Sequence, residues 1–155
     1  MRHRVTRLSN SQRTMLSPTL EDFVEAVESL VGTRIAHRGR TRGGVDCVGV
    51  PIVALRSIGI EAEEPDTYGV IPDAELLSAY LRKCCYRVPF EERERGDLLQ
   101  VKVGKQGRHL AVVTEVTSDT QSVVVAASPG RKKVIRTIRD LSQTVAVWRL
   151  NAWQV

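Results

Sequence analysis

A chain of 155 residues with 42% hydrophobic and 26% charged residues has the length and mixture of one globular domain, not of a disordered or membrane protein. No run approaches the roughly 18 apolar residues of a membrane span, and the basic N-terminus lacks the apolar run of a signal peptide. The excess of 23 Lys plus Arg over 18 Asp plus Glu, a formal net charge of +5, suits an anionic partner without naming one.

Residues Met1 to Ser17 are polar and basic without periodicity, so 1–17 is expected to be a flexible basic arm and 18–155 a single domain. Ser17-Pro18-Thr19 then supplies a helix start. Leu20, Phe23, Val24, Val27, Leu30 and Val31 recur at helical spacing, and Gly32 stops the run. A loop rich in Arg and Gly covers Thr33 to Val45. Asp46 follows as a helix N-cap, and Cys47 to Ile58 reads as a helix apolar on all sides, hence buried, with Pro51 an awkward early residue.

Glu61 to Pro72 reads as a loop, acidic at first. Pro72-Asp73 opens a third helix, with Leu76, Leu77, Tyr80, Leu81 and Cys84 on one face. The period then changes. Strands are predicted at Leu98 to Val103, His109 to Val116, Ser122 to Ala127, Lys133 to Ile138 and Val145 to Leu150, divided by Gly, Ser, Asp and Pro signals. Helices first and strands second predict an α+β protein whose N-terminal helices pack on a mostly antiparallel sheet of about five strands.

The three cysteines are Cys47, Cys84 and Cys85. Their odd number and spacing make neither a disulfide framework nor a metal site, so three reduced thiols are expected, with Cys84 and Cys85 in the core and no metal or other cofactor. Cys47 is different in its setting. A thiol at a helix N-terminus meets free amide donors and the positive end of the helix dipole, which favour its thiolate, and the arginine loop before it would add to that effect. A Cys among valines is, by spacing alone, more often a core residue.

Of the three histidines, His3 lies in the arm and His37 in the arginine loop, whereas His109 opens a core strand. A strand-end imidazole facing a helix N-terminus is the arrangement of a cysteine hydrolase, with Cys47 as nucleophile and His109 as general base; a surface histidine is the plain alternative.

These residues also carry a resemblance. Gly43-Gly44-Val45-Asp46-Cys47-Val48-Gly49 resembles the Asp-Cys-x-Gly nucleophile motif of the NlpC-type cysteine peptidases. Gly96-Asp97-Leu98-Leu99 and Arg108-His109-Leu110-Ala111-Val112-Val113 are similar to that family's strand pair bearing the catalytic His, over roughly Leu20 to Trp153. The order of motifs is most similar to the phage-tail branch. The resemblance implies a papain-like fold and hydrolysis of peptidoglycan stem peptides by Cys47 and His109. It also implies partners among tail and baseplate proteins, and a virion location after assembly in the host cytoplasm. Two positions depart from the family. Ile35 stands where a Tyr is usual, and Val125 or Ala126 where a third polar catalytic residue is usual, so a structural tail subunit with weakened or lost activity is the alternative. Nucleic acid is a less favoured partner, since no aromatic platform accompanies the basic runs.

Overall fold

The computed structural model describes residues 17–153, so the expected arm lies outside the described residues except for Ser17. Helix α1 spans Leu20–Ser29. Thr19 caps it: its hydroxyl accepts from the Asp22 amide at 3.2 Å, while the Asp22 carboxylate accepts from the Thr19 amide at 2.9 Å. Pro18 therefore precedes the cap. Phe23, Val24, Val27 and Leu30 are fully buried, as their spacing requires.

A two-stranded ribbon, β1 (Arg40–Thr41) and β2 (Gly44–Val45), leads to helix α2, Gly49–Ser57. The helix starts two residues later than its sequence suggests. This shift resolves the proline: Pro51 falls in the first turn, where an amide has no helical partner to lose. Helix α3, Ala74–Cys84, is capped by Asp73, which accepts from the Glu75 and Leu76 amides.

The remaining strands are β3 (Cys85–Val88), β4 (Leu98–Val103), β5 (Gly107–Val116), β6 (Gln121–Ser128), β7 (Lys133–Asp140) and β8 (Thr144–Leu150). They form one sheet in the order β3-β8-β4-β5-β6-β7, and each neighbouring pair is antiparallel. The sheet has six strands instead of about five. The added strand begins at Cys85 directly after α3, with no turn residue to announce it, and pairs with the far end of β8. Cys85 is thus a buried strand residue and Cys84 a half-buried helix end, their sulfurs 3.6 Å apart.

The sheet buries both faces. Leu98, Leu110, Val112, Val125, Ala127 and Trp148 join the helices in the main core, while Leu99, Val101, Ala111, Val113, Val124 and Ala126 form a second cluster behind it. This is the period of two expressed as two cores. The Gly96-Asp97 turn is fastened by Arg149 of β8, whose guanidinium donates to both Asp97 carboxylate oxygens at 2.8 and 2.9 Å. No helix among the described residues is long and apolar enough to cross a membrane.

Candidate active site

Asp46 is the anchor of the site. It is 7% exposed, and its carboxylate accepts four hydrogen bonds. Oδ1 takes the Gly49 amide at 2.8 Å and Arg40 Nη1 at 3.0 Å; Oδ2 takes the Arg38 amide at 2.8 Å and the Tyr68 hydroxyl at 2.5 Å. The Asp46 carbonyl also accepts from the Val50 amide at 3.2 Å. The expected capping role is therefore performed by its side chain and backbone, although the regular helix begins only at Gly49 and Val48 occupies the formal cap position.

Arg40 ties this carboxylate outward. It donates to Tyr68 at 2.8 Å and to Glu64 at 2.9 and 3.1 Å, and Arg56 reaches the same Glu64 at 2.9 Å. His37 stands exposed, edge-on to the Tyr68 ring. Tyr68 and Arg40 were not marked as site residues by the sequence. Tyr68 comes from a loop 22 residues away, and nothing local distinguishes Arg40 from its three neighbours.

Glycines let these segments meet. A Cβ on Gly49 would overlap the Gly39 carbonyl, and one on Gly39 would overlap the Gly44 carbonyl. This close approach is a physical reason for the Gly in Asp-Cys-x-Gly.

Cys47 follows Asp46 in the turn before α2 and is 7% exposed. Backbone amides of Leu110, Val48 and Cys47 itself act on its sulfur and favour the thiolate. They are outweighed. Burial above all, and then the neighbouring Asp46 charge, push the thiol up to about 11. The lowering expected from the helix end and the arginine loop is not realised: burial dominates, and Arg40 is engaged by Asp46 and Glu64.

His109 lies at the open end of β5. The β5–β6 ladder starts only at Val112↔Val125, whereas β6 stays paired to β7 as far as Ser128↔Lys133. The gap leaves main-chain groups free on both sides. On one side the Leu110 amide addresses the Cys47 sulfur; on the other the Ala127 backbone interacts with the His109 imidazole so as to favour its cation. A contact of that sign has the imidazole N–H donating to the carbonyl. Burial and then the Arg139 charge oppose it, and the imidazole is drawn down to about 4 although part of the ring remains exposed. Asp46 is close enough for its charge to act on His109 as well as on Cys47. The Asp46 charge thus acts on both Cys47 and His109, and the Leu110 amide, next to His109 in the chain, acts on the Cys47 sulfur; no hydrogen bond joins Cys47 to His109 directly.

Ile35 is half-buried, bridges to Val45 and donates its amide to the Lys132 carbonyl, so it supplies packing and no polar side chain. Val125 is in the main core and Ala126 in the second cluster. The polar group nearest to a third residue's role is the Ala127 carbonyl, which a sequence cannot display. Among the described residues there is no group of three or more His, Cys, Asp or Glu side chains placed to hold a metal ion.

No family model and no curated protein matches the sequence. Solved structures do. The chain is similar to the NlpC/p60 domain of the peptidoglycan hydrolase SagA, with a TM-score of 0.57 and 16% identity over 84% of this chain and 97% of that one. It is similar to the peptidoglycan hydrolase RipB from Mycobacterium tuberculosis, with a TM-score of 0.59 and 17% identity over 92% of this chain and 67% of that one. The endolysin LysIME-EF1 matches with a TM-score of 0.54 and 16% identity over 85% of this chain and 64% of that one. At these identities the likeness establishes architecture, and the chain has the papain-like NlpC/p60 fold.

Proposed function

We propose that the chain is a cysteine peptidase that hydrolyses peptidoglycan stem peptides, with Cys47 as nucleophile and His109 as general base. What supports the proposal is the gap between β5 and β6, where the Leu110 amide acts on the Cys47 sulfur and the Ala127 backbone on the His109 imidazole, in a fold shared with proteins described as peptidoglycan hydrolases. With the thiol raised and the imidazole lowered, both partners rest neutral. The imidazole is then free to take the Sγ proton as sulfur attacks the scissile carbonyl carbon.

The tetrahedral intermediate collapses as the C–N bond breaks, and His109 returns the proton to the leaving amine. Water, deprotonated by His109, then hydrolyses the thioester to release the acid and restore the thiol. The amides of Cys47, Val48 and Leu110 surround the sulfur and steady negative charge there without reorganising. The Ala127 carbonyl holds the imidazole tautomer, and its support grows as the ring gains charge.

A phage-tail setting is part of this proposal and rests on the motif order in the sequence. In it the protein is assembled with tail or baseplate partners in the host cytoplasm and meets the wall from the virion. The second reading is a tail subunit that keeps the fold without turnover. The observations favouring it are the missing Cys47–His109 hydrogen bond and the apolar side chains of Ile35 and Ala126. Incubation with purified peptidoglycan separates the two. Release of peptide fragments by wild type, and by neither Cys47→Ala nor His109→Ala, supports the peptidase; intact walls after exposure to folded wild type leave the structural subunit.

A further inference from the structure

Positive charge is strongly polarised over this molecule. Residues 30–45 and 120–139 contain nine of the 23 basic residues and none of the 18 acidic ones. Residues 46–119 separate these segments in the chain, yet the fold joins them. Gly32 donates to the Val134 carbonyl at 2.9 Å, Val134 to the Thr33 carbonyl at 2.8 Å and Ile35 to the Lys132 carbonyl at 3.2 Å, and Arg34 bridges to Lys133. The segment 32–35 thus runs along the outer edge of β7.

The resulting basic edge carries Arg34, Arg38, Arg42, Arg131, Lys132, Lys133 and Arg136, all exposed, with Lys133 and Arg136 projecting to opposite sides of β7. Among the described residues, Arg136 alone of these seven has a carboxylate in range, Glu115 at 3.9 Å. The edge is also built with backbone strain. Arg38 and Lys132 are the two described non-glycine residues with positive φ, 57° and 58°, and each is held by hydrogen bonds of its own loop. The same loop runs into the candidate site, because Ala36 and Val45 pair two residues before Cys47.

We propose that this joined edge binds a phosphate-bearing anionic polymer of the cell wall while the neighbouring site holds the stem peptide. A broad display of exposed guanidinium and ammonium groups matches a flexible chain of repeated anions. Apart from His37, the two segments contain no aromatic side chain on which bases would stack, so nucleic acid is disfavoured. The choice of a wall polymer rests on the peptidase reading above; the cationic edge itself does not.

The test is a cosedimentation assay with Cys47→Ala protein, so that binding is scored independently of cleavage. Three walls are compared: intact, stripped of phosphate polymer by mild acid, and stripped of stem peptides by an amidase. Retention on intact and peptide-stripped walls, with at least a tenfold loss on phosphate-stripped walls, is expected. The combined Arg34→Gln, Arg131→Gln and Lys133→Gln variant should lower the slope of log affinity against log salt by about 2, at roughly 0.7 per phosphate contact on a single-stranded polyanion. A control with Lys83→Gln, Lys102→Gln and Lys105→Gln should leave that slope unchanged. Equal binding to phosphate-stripped walls, loss on peptide-stripped walls alone, equal effects of the two triple variants, or tighter binding to DNA at matched phosphate would each overturn the proposal. Retention on phosphate polymer by a protein whose wild type never cuts peptidoglycan would leave this proposal standing and end the peptidase reading.

Discussion

Replacing Asp46 by Ala removes the acceptor for two backbone amides, a guanidinium and a phenol in one step. Arg40 keeps Glu64 and the Gly39 carbonyl, and Tyr68 keeps the bond from Arg40, so those two groups are only partly orphaned. The Gly49 and Arg38 amides lose their carboxylate acceptor, at about 1–3 kcal/mol each for a buried donor. Allowing for water at the partly exposed Arg38, the loss should be about 3–5 kcal/mol, the range for breaking a buried charged cluster. In a domain of this length that lowers Tm by about 10 °C. Urea unfolding followed by far-UV circular dichroism measures it directly. In a double-mutant cycle with Tyr68→Phe, the pair should fall short of additivity by about 1 kcal/mol or more. A loss below about 1 kcal/mol for Asp46→Ala, or full additivity, would refute the claim that this carboxylate organises the loop.

Two further outcomes follow from the site. Stability should fall at both ends of the pH range. His109 is drawn down from 6.5 to about 4, so the unfolded chain binds its proton first and stability declines as pH drops through that window. Cys47 is raised from 9.0 to about 11, so the unfolded chain loses its proton first and stability declines as pH rises between those values. In calorimetric Tm profiles, His109→Gln should flatten the acid limb and Cys47→Ala the alkaline one; parallel profiles for mutant and wild type would contradict the two shifts. Gly49→Ala forces a Cβ into the Gly39 carbonyl and should destabilise by about 1–3 kcal/mol in thermal melts, whereas a neutral result would mean that the loop has room to yield.

The helices and most strands were legible because their burial is periodic: Phe23, Val24 and Val27 mark α1, and the alternation of Leu98 with Leu99 and of Leu110 with Ala111 marks two faces of one sheet. Strand β3 escaped because its four residues follow a helix without a turn, and its place is set by pairing with β8, distant in sequence. The positions of Asp46, Cys47 and His109 were readable as motifs, but the thiol's electrostatics were not. Four arginines before a helix suggest an activating field; only the fold reveals that Arg40 is spent on carboxylates and that burial dominates. Tyr68 and the Ala127 carbonyl were hidden for a related reason. Each acts through a contact made across the fold, and a main-chain carbonyl leaves no trace in residue identity.

The central claim is that Cys47 attacks the substrate carbonyl and carries the acyl group. Rapid acid quenching of wild type during turnover on a soluble stem peptide, followed by intact-protein and peptide mass spectrometry, tests this directly. A mass increase equal to the acyl fragment, located on Cys47 and absent from Cys47→Ala, is predicted. Peptide cleavage with no adduct under any quench time, or an adduct on Cys84 or Cys85, would contradict it.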